Sequence, residues 1–395
     1  MRIAVLSRNF VATGGGAERY AIAIVEQLAA RNEVHVYAQN IDHAFPGVTY
    51  HRLPARLQRP RWINQLLFAW CSWRATRHGF DIVHSHENVW HGNVQTVHVL
   101  PVKYSLLAGR QGFRRTLQWL RIFTSPRLLT YMWLEYKRFA CVRGRRIVVT
   151  SSALGEAMQL AYPQTTQQFQ PPGASNAMST MAVIKPGVAM FARPDDREPV
   201  QQSARSRLGL PSEGTCLLFV GNDFRKKGLP ALIEALAQLT KTAPDIFLAV
   251  VGNPAQRGAM QVFAEELGVG QRVYFLGSLA KMEWAYSAAD CLVHPTLQDA
   301  YAMVVLEAMA HALPVVVSAA RYCGIAADLR NGQEALLLEH PQDAGQIADA
   351  IDSVLTQPAV RARLVASGLV FAQKHSWEAS GMAHQKLFEE VLACR

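Results

Sequence analysis

A chain of 395 residues that is 50% hydrophobic and 18% charged is neither a disordered protein nor one small core, and it implies two to three domains. No apolar run approaches the roughly 18 to 20 residues of a membrane span. Met1-Arg2 is followed by four apolar residues, too short a run for a secretory leader, so a cytoplasmic product is expected. The net charge of +10 is unevenly placed: residues 43–146 carry 17 Lys/Arg against Asp81, Glu87 and Glu135, a local +14, and the rest sums to −4. An anionic partner for the first half follows from that asymmetry.

In chain order, "MRIAVLS" reads as a short buried strand, "TGGGAER" (13–19) as a glycine loop, and "YAIAIVEQLAARN" as a helix. "EVHVYAQ", "FDIVHSH", "VQTVHVL" and "RRIVVTSS" repeat the strand signal with helical material between them, which predicts a doubly wound parallel domain. Residues 163–203 carry prolines at 163, 171, 172, 186, 194 and 199 and read as a linker. Beyond it the alternation restarts: strands "TCLLFVG", "IFLAVVG", "RVYFLG", "DCLVHP" and "LPVVVS", with helices over 228–240, 255–267, 281–288 and 301–311. The division expected is 1–190, 191–375, and a final helix, 376–395, packing back toward the first domain. Two Rossmann-like α/β domains facing across a cleft are the fold class, with the informative loops beyond the carboxyl ends of the strands.

Those loops carry the candidate chemistry. "VGNDFRKKG" sets Arg225, Lys226 and Lys227 between a strand and the helix opened by Gly228, a pattern suited to phosphate. "PTLQDAYAMVVLEAMAHALPVVV" places Asp299 before a helix and Glu307 within it. With that helix starting near Tyr301, the amides of Tyr301, Ala302 and Met303 would be free donors for a diphosphate. Glu307, on a helix apolar enough to be buried, needs a polar partner, and carboxylates suit sugar hydroxyl pairs. The bland alternative is a helix-capping Asp299 and a solvated Glu307. The glycine loop lacks the third glycine of a dinucleotide fingerprint, Arg19 standing there, and the second strand ends without a ribose-binding acid, so a dehydrogenase is excluded. His98, at a strand end, reads on its own as structural. His84, His86 and His91 cluster in sequence without a zinc-binding helix motif, the six cysteines have no paired spacing, and no metal is expected.

These stretches, together with "VTSSALGEAM", "IKPGVAMFARP" and "NGQEALLLEHPQDAGQIADAI", occur in the order found in glycosyltransferase family 4, and the chain resembles that family over most of its length. "GNDFRKKG" and "RYCGIAADL" are most similar to its lipopolysaccharide-core glucosyltransferase branch. The resemblance implies a GT-B fold and a retaining hexosyl transfer without metal or cofactor, from a nucleotide sugar, UDP-glucose by that branch, to a lipid-linked or core glycan. It assigns Lys227, with Lys226 or Arg225, to the donor diphosphate, and Asp299 and Glu307, seven residues between them, to donor sugar and ribose. His98 is placed near the transferred sugar, and Gly15 and Gly16 near donor phosphate and acceptor. Leu279, Tyr301, Ala302 and Met303 complete the donor set. Asn222 stands where many members have arginine, Ala302 where glycine is common, and Asp299 where glutamate is usual.

Residues 103–146 interleave eleven Lys/Arg with eight aromatics. As a helix, 113–123 puts Phe113, Leu117, Leu120 and Phe123 on one side and Arg114, Gln118 and Arg121 on the other. With Lys103, Arg115 and Trp119, this is the pattern of a helix lying on an anionic bilayer at the cytoplasmic membrane face; core packing beside a basic acceptor groove is the other reading. A nucleic-acid role leaves Asp299 and Glu307 without a purpose. A sugar-nucleotide epimerase and a non-catalytic sugar-nucleotide binder are the remaining alternatives.

Overall fold

The structure, a computed structural model, describes residues 1–11, 14–55, 59–166, 168–169, 178–191 and 197–394. Thr13 of the glycine loop and Pro171, Pro172 and Pro194 of the expected linker lie outside the described residues. The chain forms two units, Met1–Pro186 with Trp377–Arg395, and Gly187–Ser376.

In the first unit a sheet is built from β1 (Arg2–Leu6), β2 (Glu33–Ala38), β3 (Val48–Arg52), β4 (Ile82–Ser85), β5 (Val94–Val97), β6 (Arg146–Val149) and β7 (Met181–Val183). All pairings are parallel, in the order β7-β6-β5-β4-β1-β2-β3. The strand runs are apolar on both faces because helices cover both: residues 3–6 of β1 and all four of β6 are buried. The helices are α1 (Gly16–Ala29), α2 (Arg61–Thr76), α3 (Val102–Leu107), α4 (Gly112–Phe123), α5 (Pro126–Arg138) and α6 (Ser152–Ala161). α6 opens where the Ser151 hydroxyl accepts from the Leu154 amide at 3.1 Å. Strand β7 lies inside the stretch read as linker; at three residues it is too short to show a period in sequence, and only pairing with β6 defines it.

The second unit repeats the plan with β8 (Thr215–Val220), β9 (Ile246–Val251), β10 (Val273–Gly277), β11 (Cys291–His294), β12 (Val315–Ser318) and β13 (Leu336–Leu338), in the order β10-β9-β8-β11-β12-β13. Its helices are α7 (Arg197–Leu208), α8 (Leu229–Leu239), α9 (Arg257–Glu266), α10 (Glu283–Ala288), α11 (Met303–Ala310), α12 (Ala344–Thr356) and α13 (Pro358–Gln373). Alternate residues of β8 enter opposite cores: Leu218 and Val220 pack with the α11 side, Leu217 and Phe219 with the α8 and α12 side. The last helix, α14 (Trp377–Ala393), returns to the first unit, where Gly381 packs against Gln27 of α1.

The second sheet therefore follows the Rossmann order 3-2-1-4-5-6, and the first the same order with a seventh strand beyond the sixth. The order reverses between β1 and β4 in the first unit and between β8 and β11 in the second, and ligands of such sheets bind beyond the carboxyl ends at that reversal. No helix among the described residues is long and apolar enough to cross a membrane.

Candidate active site

In the second unit the reversal brings together the loop after β8 (221–228) and the loop after β11 (295–302). Gly228 makes the approach possible. Its φ is +83°, and a Cβ there would collide with the Pro295 carbonyl. The Leu297 amide donates to the Lys226 carbonyl at 2.9 Å, fastening one loop to the other. Lys227 is thereby delivered to Asp299: its Nζ donates to Asp299 Oδ2 and, at 3.3 Å, to the Gln298 carbonyl. His294, the last residue of β11, lies 3.2 Å from the same oxygen through Nε2. The other carboxylate oxygen, Oδ1, accepts from the amides of Tyr301 (3.3 Å) and Ala302 (3.0 Å).

Burial alone would raise the Asp299 carboxyl, but the His294 hydrogen bond and the Lys227 charge outweigh it and hold the group well below the usual carboxylate range. Burial pushes the His294 imidazole down, partly offset by Asp299. The ring is accordingly neutral near pH 7, and against an ionised carboxylate its Nε2 carries the proton.

Helix α11 begins at Met303, not near Tyr301, with Ala302 as its N-cap at φ +68°. The amides of Tyr301 and Ala302, expected to be open to a diphosphate, are already held by Asp299. Those of Met303 and Val304 are the free donors of the first turn. Asp299 is thus both the capping residue and the partner of Lys227, and both of its oxygens are engaged. Glu307 is only part-buried but has the polar partner expected of it: the Tyr286 hydroxyl donates to Oε2 at 2.5 Å. Tyr286 is itself fixed by stacking on His311, which stacks on Phe191.

The three consecutive cations separate. Lys227 enters the Asp299 cluster, whereas Arg225 lines a different cavity with Pro230, Met260 and Phe263, and Lys226 is exposed. Residues in the loop point to different sides, so the spacing in sequence could not show this. Asn222 ties down the loop after β9, its Oδ1 accepting from the Asn253 amide at 3.1 Å. Leu279 follows β10, the edge strand, and packs on the core of this unit. His294 and Tyr286 were not singled out in the sequence. His294 adjoined the quoted turn and was legible there; Tyr286, 21 positions before Glu307, had no local signal.

In the first unit Gly15 caps α1 and Gly16 begins it. His98 follows β5 but is drawn toward the reversal point by a 2.9 Å hydrogen bond between its Nε2 and His86 Nδ1. Tyr20 packs edge-on to His98, 4.9 Å between ring centroids, and also contacts His384 and Trp377 of the returning chain end. His84 pairs with the Thr96 hydroxyl at 2.7 Å. No group of three potential metal ligands occurs among the described residues, and none of the six cysteines forms a disulfide there.

Helix α4 turns outward. Phe113, Leu117, Leu120 and Phe123 are 56–80% exposed, Arg114, Arg115 and Arg121 are exposed, and the buried stripe is Gln118 and Ile122. The apolar face is therefore not core. Trp119 stacks on Phe123, and Lys103 sits over the Tyr162 ring.

Two Rossmann units, the second with a lysine and a carboxylate meeting at its reversal point, define the class: the glycosyltransferases of GT-B fold. Residues 14–166 match the family model described as Glycosyltransferase Family 4, and residues 200–369 that described as Glycosyl transferases group 1; the chain carries both glycosyltransferase domains. It is 25% identical to the lipopolysaccharide glucosyltransferase WaaG of Escherichia coli over 88% of each chain. It is 30% identical to the D-inositol 3-phosphate glycosyltransferase of Corynebacterium urealyticum and 33% to that of Corynebacterium jeikeium, over 55% and 53% of this chain. The matched region spans about half of those two relatives, 53% and 51% of their lengths. Among solved structures, WaaG, a glycosyltransferase involved in lipopolysaccharide biosynthesis, superposes with a TM-score of 0.80 at 22% identity over 98% of this chain and 99% of that one. Anabaena HepE in complex with UDP-glucose gives 0.72 at 19% identity, over 99% and 100%.

Two outcomes test the geometry. Gly228→Ala should destabilise the second unit by about 2–5 kcal/mol, because it adds left-handed strain to a collision with backbone. Ala302→Gly should leave its stability unchanged or raise it by about 1 kcal/mol, relieving the same kind of strain. Urea unfolding of both variants checks the pair. The second concerns acid. Burial, with neighbouring positive charge, sets His84 and His86 well below the usual imidazole range and His98 to about 3; burial sets His384 to about 4. The unfolded chain takes up these protons near pH ~6.5. Stability is therefore full above that pH and falls as pH drops toward the folded values, by up to about 1.4 kcal/mol per pH unit for each ring. Glu135, raised by burial, opposes this as a single group. The urea midpoint of the first unit should fall steeply from about pH 7 to about pH 5, and His384→Gln should flatten the slope.

Proposed function

We propose that this protein transfers a hexose, glucose from UDP-glucose, to a lipid-linked or lipopolysaccharide-core glycan with retention of configuration. The convergence of Lys227 and Asp299 beside the start of α11 carries the reading. Names of relatives and neighbours support it: WaaG is a lipopolysaccharide glucosyltransferase, and HepE was solved with UDP-glucose.

The departing nucleoside diphosphate gains negative charge as the sugar leaves. Lys227 and the first-turn amides of Met303 and Val304 stabilise that charge, positioned before the reaction begins. Asp299 holds Lys227 in place. Because its own charge is shared among the His294 N–H and two amides, the lysine is not fully neutralised by it. Glu307, fixed by Tyr286, accepts from ribose hydroxyls. The leaving phosphate takes the acceptor proton in a front-face attack, with no metal or cofactor in the step. His98 and the Gly15–Gly16 turn act on the transferred sugar and acceptor, and Lys226 and Asn222 serve the donor from the loop that carries Lys227.

A charge pair about 4 Å apart at an effective dielectric of about 20 is worth about 4 kcal/mol. Lys227→Ala should therefore lower kcat/KM by up to about a thousandfold. The assay pairs UDP-glucose and other nucleotide sugars with core-glycan and inositol-phosphate acceptors. Transfer that survives Lys227→Ala overturns the site assignment. Donor epimerised without acceptor, or bound with neither transfer nor hydrolysis, overturns the transferase reading.

The protein works at the cytoplasmic face of an anionic membrane through α4, where exposed Phe113, Leu117, Leu120 and Phe123 enter the interface and Arg114, Arg115 and Arg121 meet headgroups. Co-sedimentation with phosphatidylglycerol vesicles should exceed that with phosphatidylcholine at least about tenfold and drop sharply in Phe113→Ser/Leu120→Ser. Equal, negligible binding to both refutes the docking.

A further inference from the structure

At the amino edge of the first unit's sheet, across the length of strands β4 to β6 from the loops discussed above, lies a cavity of about 420 Å3. A four-residue strand separates the two edges by about 13 Å, so the cavity is distinct from the carboxyl-edge loops. Its volume falls within the roughly 300–1,000 Å3 of small-molecule clefts. The walls come from the end of α2 and from the turns entering β4, β5 and β6. They present the aromatic rings of Trp73, Phe80 and Trp90 and the guanidinium groups of Arg77 and Arg143, without any acidic side chain.

The cavity has a rigid frame. Arg145 spends its guanidinium on three carbonyls, those of Gly92 (3.1 Å), Lys137 (2.8 Å) and Trp90 (3.2 Å), which locks the turns. The other two arginines have capacity left. Arg77 lies over the Trp73 ring at 5.7 Å, and Arg143 uses only Nε, donating to the Cys394 carbonyl at 3.0 Å. His91 also lines the cavity, with its ring nitrogens turned into the protein.

We infer that this cavity binds a phosphorylated sugar, with Trp73 and Trp90 as platforms for the ring and Arg77 and Arg143 as ligands of the phosphate. Guanidinium forks match phosphate oxygens, and aromatic faces suit the C–H surface of a pyranose. The occupant is a free hexose phosphate or a phosphorylated sugar within a larger glycan, and binding there requires no sugar transfer.

Glucose 6-phosphate titrated into the full chain should quench tryptophan fluorescence saturably and shift the His91 ring resonances, whereas glucose should do neither and inorganic phosphate should bind at least about tenfold more weakly. Arg77→Gln/Arg143→Gln, both at exposed positions, should weaken binding at least about tenfold with circular dichroism unchanged. Lys227→Ala should leave it intact. A phosphorylated core oligosaccharide, before and after phosphatase, distinguishes the sources: binding of this glycan in place of glucose 6-phosphate, lost with its phosphate, assigns the site to a glycan. The proposal is overturned if neither probe binds, if the double arginine variant binds as the parent does, if glucose binds equally, or if Lys227→Ala abolishes binding. A transferase assay that fails leaves these outcomes unaffected.

Discussion

The second unit's site depends on one carboxylate. Asp299 accepts from Lys227, from His294 and from two backbone amides, so one side chain fixes a strand end, a loop from the neighbouring strand and the cap of α11. A buried carboxylate left unpaired would be costly; satisfied four times, it becomes the point around which the turn is organised. The depressed acidity of Asp299 expresses the same balance, with hydrogen bonds and charge outweighing burial.

That arrangement has a backbone requirement. The loops meet only because residue 228 lacks a side chain, and α11 starts only because Ala302 accepts a left-handed conformation. One position solves the strain with glycine and the other carries it, which is the kind of local cost found where a turn must present donors to a ligand. Glu307 is held from the side by Tyr286, itself braced by His311 and Phe191, so both acids of the pair are positioned by neighbours from other elements.

The first unit contrasts with this. Its reversal point is surrounded by neutral, buried imidazoles and Tyr20, with His86 and His98 joined directly. Arg138 of α5 and Arg146 of β6 are buried against the sheet, Arg138 donating to Gln95 and to the Thr96 carbonyl, whereas the cations of α4 and those around the amino-edge cavity lie outward. Most of the +14 of residues 43–146 is thus carried on the surface, with Arg138 and Arg146 the buried exceptions.

The sequence by itself determined the two α/β halves, because strands covered by helices on both faces must read as short apolar runs, and it determined the strand-end loops holding Lys227 and Asp299 and the helix holding Glu307. It also identified α4 as amphipathic. Only tertiary structure decided which face of α4 is buried, since Gln118 and Ile122 form a stripe narrower than hydrophobicity alone suggests. Strand β7 had too few residues to show a period, and the start of α11 shifted by two because Asp299 captured the amides of Tyr301 and Ala302. The division of Arg225 from Lys227, and the pairing of Tyr286 with Glu307, depend on how the loop turns and on contacts between residues distant in the chain. Periodicity reports what one element does along its own axis; which side chains of different elements meet is set by the packing of the sheet.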